Sequence, residues 1–161
     1  MNEEHVAYRQ PNSNQCFVCG MKNAFGLQLT FYDNGHDQVW TQYTIPEYLQ
    51  GYPSVTHGGV IAAMLDEVCS RTALIADNNH FMMTAKLDIK YSCPVPVNQS
   101  LRVAGRLIKS RDRVLQVEGF IYLNDDTIAA QSSVTLVDLP ELILDESKFK
   151  ELGWEIIGDG D

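Results

Sequence analysis

The sequence predicts an α+β domain: six antiparallel strands wrapped around one long central helix, in the order β-β-α-β-β-β-β. Three observations carry this. Residues 59–76 run rich in Ala, Met, Leu and Ile with no proline, the signature of a helix that is apolar nearly all round and must be covered on most sides. Ala85, Leu87, Ile89 and Tyr91 alternate with Lys86, Asp88 and Lys90, as in a strand with one buried face. Further strand-like runs follow at regular spacing, and a sheet that buries one face on the helix meets both demands.

Taken in order, Leu27, Leu29 and Phe31 alternate with polar residues, Asn34-Gly35 offers a turn, and residues 39–45 complete a hairpin. Gly51, Tyr52 and Pro53 interrupt the pattern before the helix. Strands are then expected at 84–91, 101–108, 114–123 and 128–137, separated by the turn residues of 98–100, 110–112 and 124–126. Pro140 and beyond reads as a peripheral extension with a short helix near 146–152. The expected division is a flexible N-terminal arm over 1–15, one domain over 16–138 and an acidic extension over 139–161.

A chain of 161 residues with 45% hydrophobic residues fits one such domain. The longest apolar run, Val60 to Leu65, is far short of the roughly 20 residues that span a bilayer. The polar, acidic start lacks the apolar stretch of a secretion signal, so a cytoplasmic protein without a membrane partner is expected. The net charge of −9 sits mainly in the segment after Val137, and the body is nearly balanced. Arg102, Arg106, Lys109, Arg111 and Arg113 crowd one stretch of that body, enough for an anionic small molecule but too narrow for a nucleic-acid footprint.

The helix holds two adjacent acids with different prospects. Glu67 stands four residues before Arg71, an i, i+4 ion pair whose ordinary reading is a charged rim position. Asp66 has no basic residue at i±3 or i±4, and its face is small: Gly59, Ala62, Ala63, Ser70 and Ala73. A buried, unpaired carboxylate is costly unless it is solvated or hydrogen-bonded, and burial raises its pKa. Such a group is either a working carboxylate or one satisfied by neighbouring backbone or a subunit interface. Upstream, Thr56-His57-Gly58-Gly59 opens the helix, where free N–H groups and the positive dipole end can stabilise an oxyanion. Gly59 and Asp66 are two turns apart, about 10.5 Å of rise. An acyl group must therefore span them, or one comes from a partner subunit.

Cys16 and Cys19 form a Cys-x-x-Cys pair, while Cys69 and Cys93 stand alone. A zinc site needs two more ligands at familiar spacing; His5 or His36 could be recruited, but no second pair completes the pattern. A redox pair belongs at a strand-to-helix junction, and this one leads into a strand. The pair reads as structural, with metal or redox roles as the alternatives.

The string HGGVIAAMLDEV, residues 57–68, resembles the helix signature of hotdog-fold acyl-CoA thioesterases, specifically the branch of the phenylacetate-pathway thioesterases. Agreement extends to CFVCGMKNAFGLQLTF at 16–31, GYPSVTHGG before the helix, and TAKLDIKYSCPVPV at 84–97. Asn23-Ala24 departs from the Asn-Pro of many relatives, a turn detail. The resemblance implies hydrolysis of acyl-CoA without metal or cofactor, by homodimers or dimers of dimers with interfacial sites. It implies Asp66 as general base or nucleophile, a backbone N–H at Gly59 or Gly58 on the thioester carbonyl, His57 assisting, and Thr84 positioning the water. Arg106, Arg111 and Arg113, with Lys86 and Lys90, are the candidates to meet the anionic CoA moiety. A non-catalytic acyl-CoA or lipid-binding module is the alternative. Met64, Leu65, Phe81, Met82 and Met83 are candidates for an apolar acyl pocket or plain core.

Overall fold

In the computed structural model, which describes residues 6–141 and 143–158, one helix lies across one face of an antiparallel sheet. The strands are β1 (Tyr8–Arg9), β2 (Tyr32–Asp33), β3 (Gln38–Thr44), β4 (Met82–Tyr91), β5 (Ser100–Arg111), β6 (Val114–Tyr122) and β7 (Ile128–Asp138). They are ordered β1-β2-β3-β5-β6-β7-β4. The expected fold class holds, with seven strands rather than six. Helix α1 (Gly58–Ser70) packs on β4 to β7 and on β3, and a short α2 (Glu146–Leu152) follows the sheet.

Alternation builds the core. Leu101 and Val103 of β5, Leu115, Val117 and Ile121 of β6, and Val134 and Leu136 of β7 are buried toward α1. Ile61, Met64, Leu65, Val68 and Cys69 meet them from the helix. Met64 and Leu65 are therefore core. The closest approach is built on two glycines paired across β5 and β6, Gly105 opposite Gly119. A Cβ on Gly105 would lie 2.7 Å from the Val68 carbonyl oxygen, and one on Gly119 would lie 2.7 Å from Cys69 Sγ. Gly105→Ala is therefore expected to lift the helix and lower stability by about 1–3 kcal/mol, read as a drop in urea midpoint at unchanged m-value. An unchanged midpoint would mean the helix has slack over the sheet.

Three local expectations are corrected. The first strand of the hairpin is not residues 27–31. These alternate in burial as expected, but Leu27 and Leu29 donate their N–H groups to Phe17 and Val18 at 2.8 and 2.9 Å. Gln28 has a φ of 54°, so only Tyr32–Asp33 joins β3. The helix stops at Ser70 and tightens into a 3-10 turn over Arg71–Leu74. There Ser70 Oγ donates to the Asp66 carbonyl (2.9 Å) and Thr72 Oγ1 to the Cys69 carbonyl (2.8 Å), competing with continued α-helical bonds.

The third correction concerns both ends. Over residues 8–15 the expected flexible arm is largely packed: Gln10, Asn12 and Ser13 are buried, and Asn12 Nδ2 donates to the Cys19 and Leu29 carbonyls at 2.8 Å each. Residues 1–5 lie outside the described residues. Helix α2 falls where expected and buries none of its residues, but the segment that follows it packs against the body of the domain. Asp145 caps the helix, and Gly153 ends it at a φ of 62°. The chain then returns to Asn12, which exchanges backbone bonds with Glu155 at 2.8 and 3.2 Å. Trp154 packs edge-on against Phe81 and donates to the Asn78 carbonyl at 2.7 Å.

Candidate active site

Asp66 emerges from α1 half-buried, facing β4. Thr84 Oγ1 donates to Asp66 Oδ1 at 2.6 Å, and Ser70 Oγ lies 3.5 Å from the same hydroxyl. The sequence-level question about Asp66 thus has a local answer: the hydroxyl of the next strand satisfies one oxygen of the carboxylate. Thr84 sits at a register shift in the β4–β7 pairing, between Thr84 and Lys86, and such irregularities re-aim side chains.

Asp66 and Thr84 line a cavity of about 440 Å³, within the range of small-molecule sites. Its polar end holds Ser13, Cys16, Cys19, Glu67 and Ser70. Its apolar walls are Leu74, Phe81, Met82 and Met83 with Leu139, Leu144, Leu152 and Trp154. The aromatic and methionine candidates after the helix are therefore cavity residues, joined by C-terminal side chains that no local pattern marked.

Glu67 is not a charged rim position. Arg71 is 2% exposed and donates through Nε to Glu67 Oε1 at 3.0 Å and through Nη1 to the Pro11 carbonyl at 2.6 Å. Its guanidinium also lies over the rings of Phe31 and Trp154, 4.6 and 5.1 Å from their centroids. Burial lifts the Glu67 carboxyl to about 7 against the opposing pull of Arg71. Cys19 is held well below the ordinary thiol range by its hydrogen bond with Cys16, aided by Arg71 and Ser13, while Cys16 is driven up. Burial pushes Cys69 up to about 12.

The fold has counterparts among known proteins. The family model described as Thioesterase superfamily matches residues 54–130, from before the helix into β7. Over that stretch the chain is similar to the Thioesterase superfamily, and its fold is the hotdog fold of the solved thioesterase-superfamily structures. Human acyl-coenzyme A thioesterase THEM5 is 34% identical over 93 residues, 57% of this chain and 37% of that protein. Acyl-coenzyme A thioesterase THEM4 of Rattus norvegicus is 27% identical over 132 residues, 81% of this chain and 56% of that protein. The chain thus spans between about a third and just over half of these curated relatives. Among solved structures, a thioesterase superfamily protein is 28% identical with a TM-score of 0.69, over 76% of this chain and 60% of that one. A hypothetical thioesterase from Streptococcus pneumoniae TIGR4, solved with coenzyme A, shares the fold at 13% identity and a TM-score of 0.59, over 63% of this chain and 81% of that one.

Within one hotdog domain the expected site residues fall into separate groups. Asp66 and Thr84 meet. His57 and Gly58 instead line a second cavity of about 520 Å³ with Tyr52, Tyr91 and Pro94, and Tyr91 donates to the Gly58 carbonyl at 2.9 Å. His57 is the N-cap of α1: its Nδ1 accepts the Gly59 N–H at 2.9 Å. That amide is already engaged here, so the imidazole must release it before it can meet a carbonyl. A Cβ on Gly59 would lie 3.0 Å from the same Nδ1. Gly59→Ala is accordingly expected to displace the ring and cost about 1 kcal/mol, the usual worth of a lost cap. A thermal melt superimposable on wild type would contradict this.

The basic candidates do not gather around Asp66. Arg102, Arg106, Arg111 and Arg113 pair with Asp126, Glu118, Asp112 and Asp138 at 3.6, 3.2, 3.9 and 3.0 Å. Lys86 pairs with Asp88 at 3.0 Å, and Lys90 is exposed on β4. Arg113 comes nearest in function, because Asp138 also binds His80 of the cavity wall at 3.0 Å. Hydrogen bonding to His80 and then Arg113 holds Asp138 below the usual carboxylate range.

Proposed function

We propose that this chain hydrolyses acyl-CoA thioesters, with Asp66 as the reacting carboxylate. The observation that carries this reading is the 2.6 Å bond from Thr84 to Asp66 on the wall of a largely apolar cavity. Thr84 fixes one oxygen of the carboxylate, leaving the other to act. As a general base it takes a proton from water as the water attacks the thioester carbonyl; as a nucleophile it attacks directly, and water cleaves the resulting anhydride. Either way the carbon–sulfur bond breaks and the departing thiolate is protonated to CoA. A thioester is activated enough for one positioned carboxylate and one amide donor to suffice.

The second half of the machinery comes from another copy. Strand β4, which carries Thr84, ends the sheet order, so its outer edge is available to join a second sheet. A homodimer, or a dimer of dimers, formed there brings the partner's helix N-terminus toward Asp66. This accounts for His57, Gly58 and Gly59 lying apart from Asp66 within one chain. Arg113, Arg111 and Arg106, with Lys86 and Lys90, are assigned to the CoA phosphates, Arg113 foremost through its link to His80. The branch is read from residues 57–68 as the phenylacetate-pathway type. A cytoplasmic setting belongs to the same proposal, supported by four unpaired cysteines.

The test is release of free thiol from acyl-CoAs of increasing chain length and from aromatic acyl-CoAs. Turnover is expected to favour apolar acyl groups that fill the cavity lined by Leu74, Phe81, Met82 and Trp154. Saturable binding with no turnover across the whole series would make the domain a binding module instead.

A further inference from the structure

Cys16 and Cys19 bracket a tight turn closed by the Gly20 N–H, which donates to the Cys16 carbonyl at 2.8 Å. A Cβ on Gly20 would come 2.4 Å from that oxygen, so the turn is built for glycine. It aims two backbone donors at one sulfur: Val18 N–H at 3.3 Å and Cys19 N–H at 3.5 Å from Cys16 Sγ. Donors so placed can support the Cys16 sulfur once a metal displaces the proton it now directs at Glu67, the form in which cysteine binds a metal.

The third group comes from the helix. Glu67 Oε2 lies 3.7 Å from Cys16 Sγ, while its other oxygen is taken by Arg71. The two sulfurs and a Glu67 oxygen all lie within 4.8 Å of one another. In a tetrahedral zinc site with bonds of about 2.3 Å to sulfur and about 2.1 Å to oxygen, neighbouring S and O ligands stand about 3.6 Å apart. The observed sulfur–oxygen separation is close to that edge. Charge agrees as well: two thiolates and a carboxylate beside one guanidinium leave two negative charges, which one divalent cation cancels. These residues all border the Asp66 cavity, so the corner they leave vacant opens toward it. Closed structural zinc sites carry four protein ligands, whereas sites that work on a substrate keep one position open.

We infer that Cys16, Cys19 and Glu67 bind one zinc ion whose fourth position opens into the Asp66 cavity. The pattern that stopped at two cysteines in the sequence is extended by a ligand 51 residues away. This stands apart from the proposed hydrolysis and can be tested without it.

The experiment uses the full chain, reduced and stripped of metal, with its thiols counted before cobalt(II) is added. One equivalent of cobalt is expected to produce a thiolate-to-cobalt charge-transfer band and the strong visible bands of a tetrahedral ion, both bleached by one equivalent of zinc. Cys16→Ser is expected to weaken the charge-transfer band, and Glu67→Gln to keep it while lowering affinity by roughly 100-fold. No such bands in the fully reduced wild type, or equal cobalt affinity in wild type and Glu67→Gln, would overturn the site. Should Cys16→Ser fail to fold by circular dichroism, the wild-type and Glu67→Gln titrations decide.

Discussion

Asp66→Asn is expected to lower kcat for acyl-CoA hydrolysis by about 10²–10⁴-fold, the usual worth of a positioned acid–base group. Asparagine matches the volume of aspartate, and its carbonyl can still accept the Thr84 hydroxyl now 2.6 Å from Oδ1. Packing on β4 should therefore survive, and the urea midpoint should stay close to wild type. What disappears is the ability to take a proton or attack a carbonyl. Steady-state kinetics should show the loss in kcat with little change in KM, because the carboxylate acts on the reacting atoms and not on the bulk of the substrate. Thr84→Val should fall between the two, since it frees the carboxylate without removing it. Wild-type turnover in Asp66→Asn would transfer the chemistry to another group.

Arg71→Met is the change expected to harm the fold most, by about 3–5 kcal/mol, because it leaves the Glu67 carboxylate buried without its counter-charge. Arg71 ties three distant parts of the chain. It donates to Glu67 of α1 and to the Pro11 carbonyl, and its own carbonyl accepts from Gln10 Nε2 at 3.2 Å. Its guanidinium stacks between Phe31 and Trp154. Urea denaturation measures the loss. Adding Glu67→Gln to Arg71→Met should recover part of it, since the double variant no longer buries an unpaired carboxylate. A loss below about 1 kcal/mol would assign Arg71 the weight of an exposed ion pair.

The sheet and the helix were legible because both write their burial into local periodicity. The alternation of Leu87 and Ile89 with Lys86, Asp88 and Lys90 and the apolar run before Ser70 needed no knowledge of distant residues. Ala85 and Tyr91, expected on the same buried face, are instead exposed at the register shift and at the strand end. Asp66 was legible for a related reason, as a charge without a helical partner. Thr84 came from the family resemblance and is the partner found. Glu67 was misjudged because i, i+4 spacing reveals a partner but not its depth; Arg71 is buried by Phe31 and Trp154, residues 40 and 83 positions away. The same holds for the C-terminal wall of the cavity. Phe149 and Trp154 reach Phe81 only through the folded sheet, and no window of sequence contains both sides. Gly59 was found, but its capture by the ring two residues earlier is a matter of one side-chain rotation.

The return of the chain to Asn12 orders events in time. The sheet and its helix are complete by Asp138, yet Leu139, Leu144, Leu152 and Trp154 still have to be laid against Phe81 and Arg71. Closing contacts between residues 12 and 155 is a long-range step that cannot precede synthesis of the second partner. During translation the domain therefore passes through a stage with Asp66 already in place and its slot shallow, and residues 139–154 add the wall that deepens the groove.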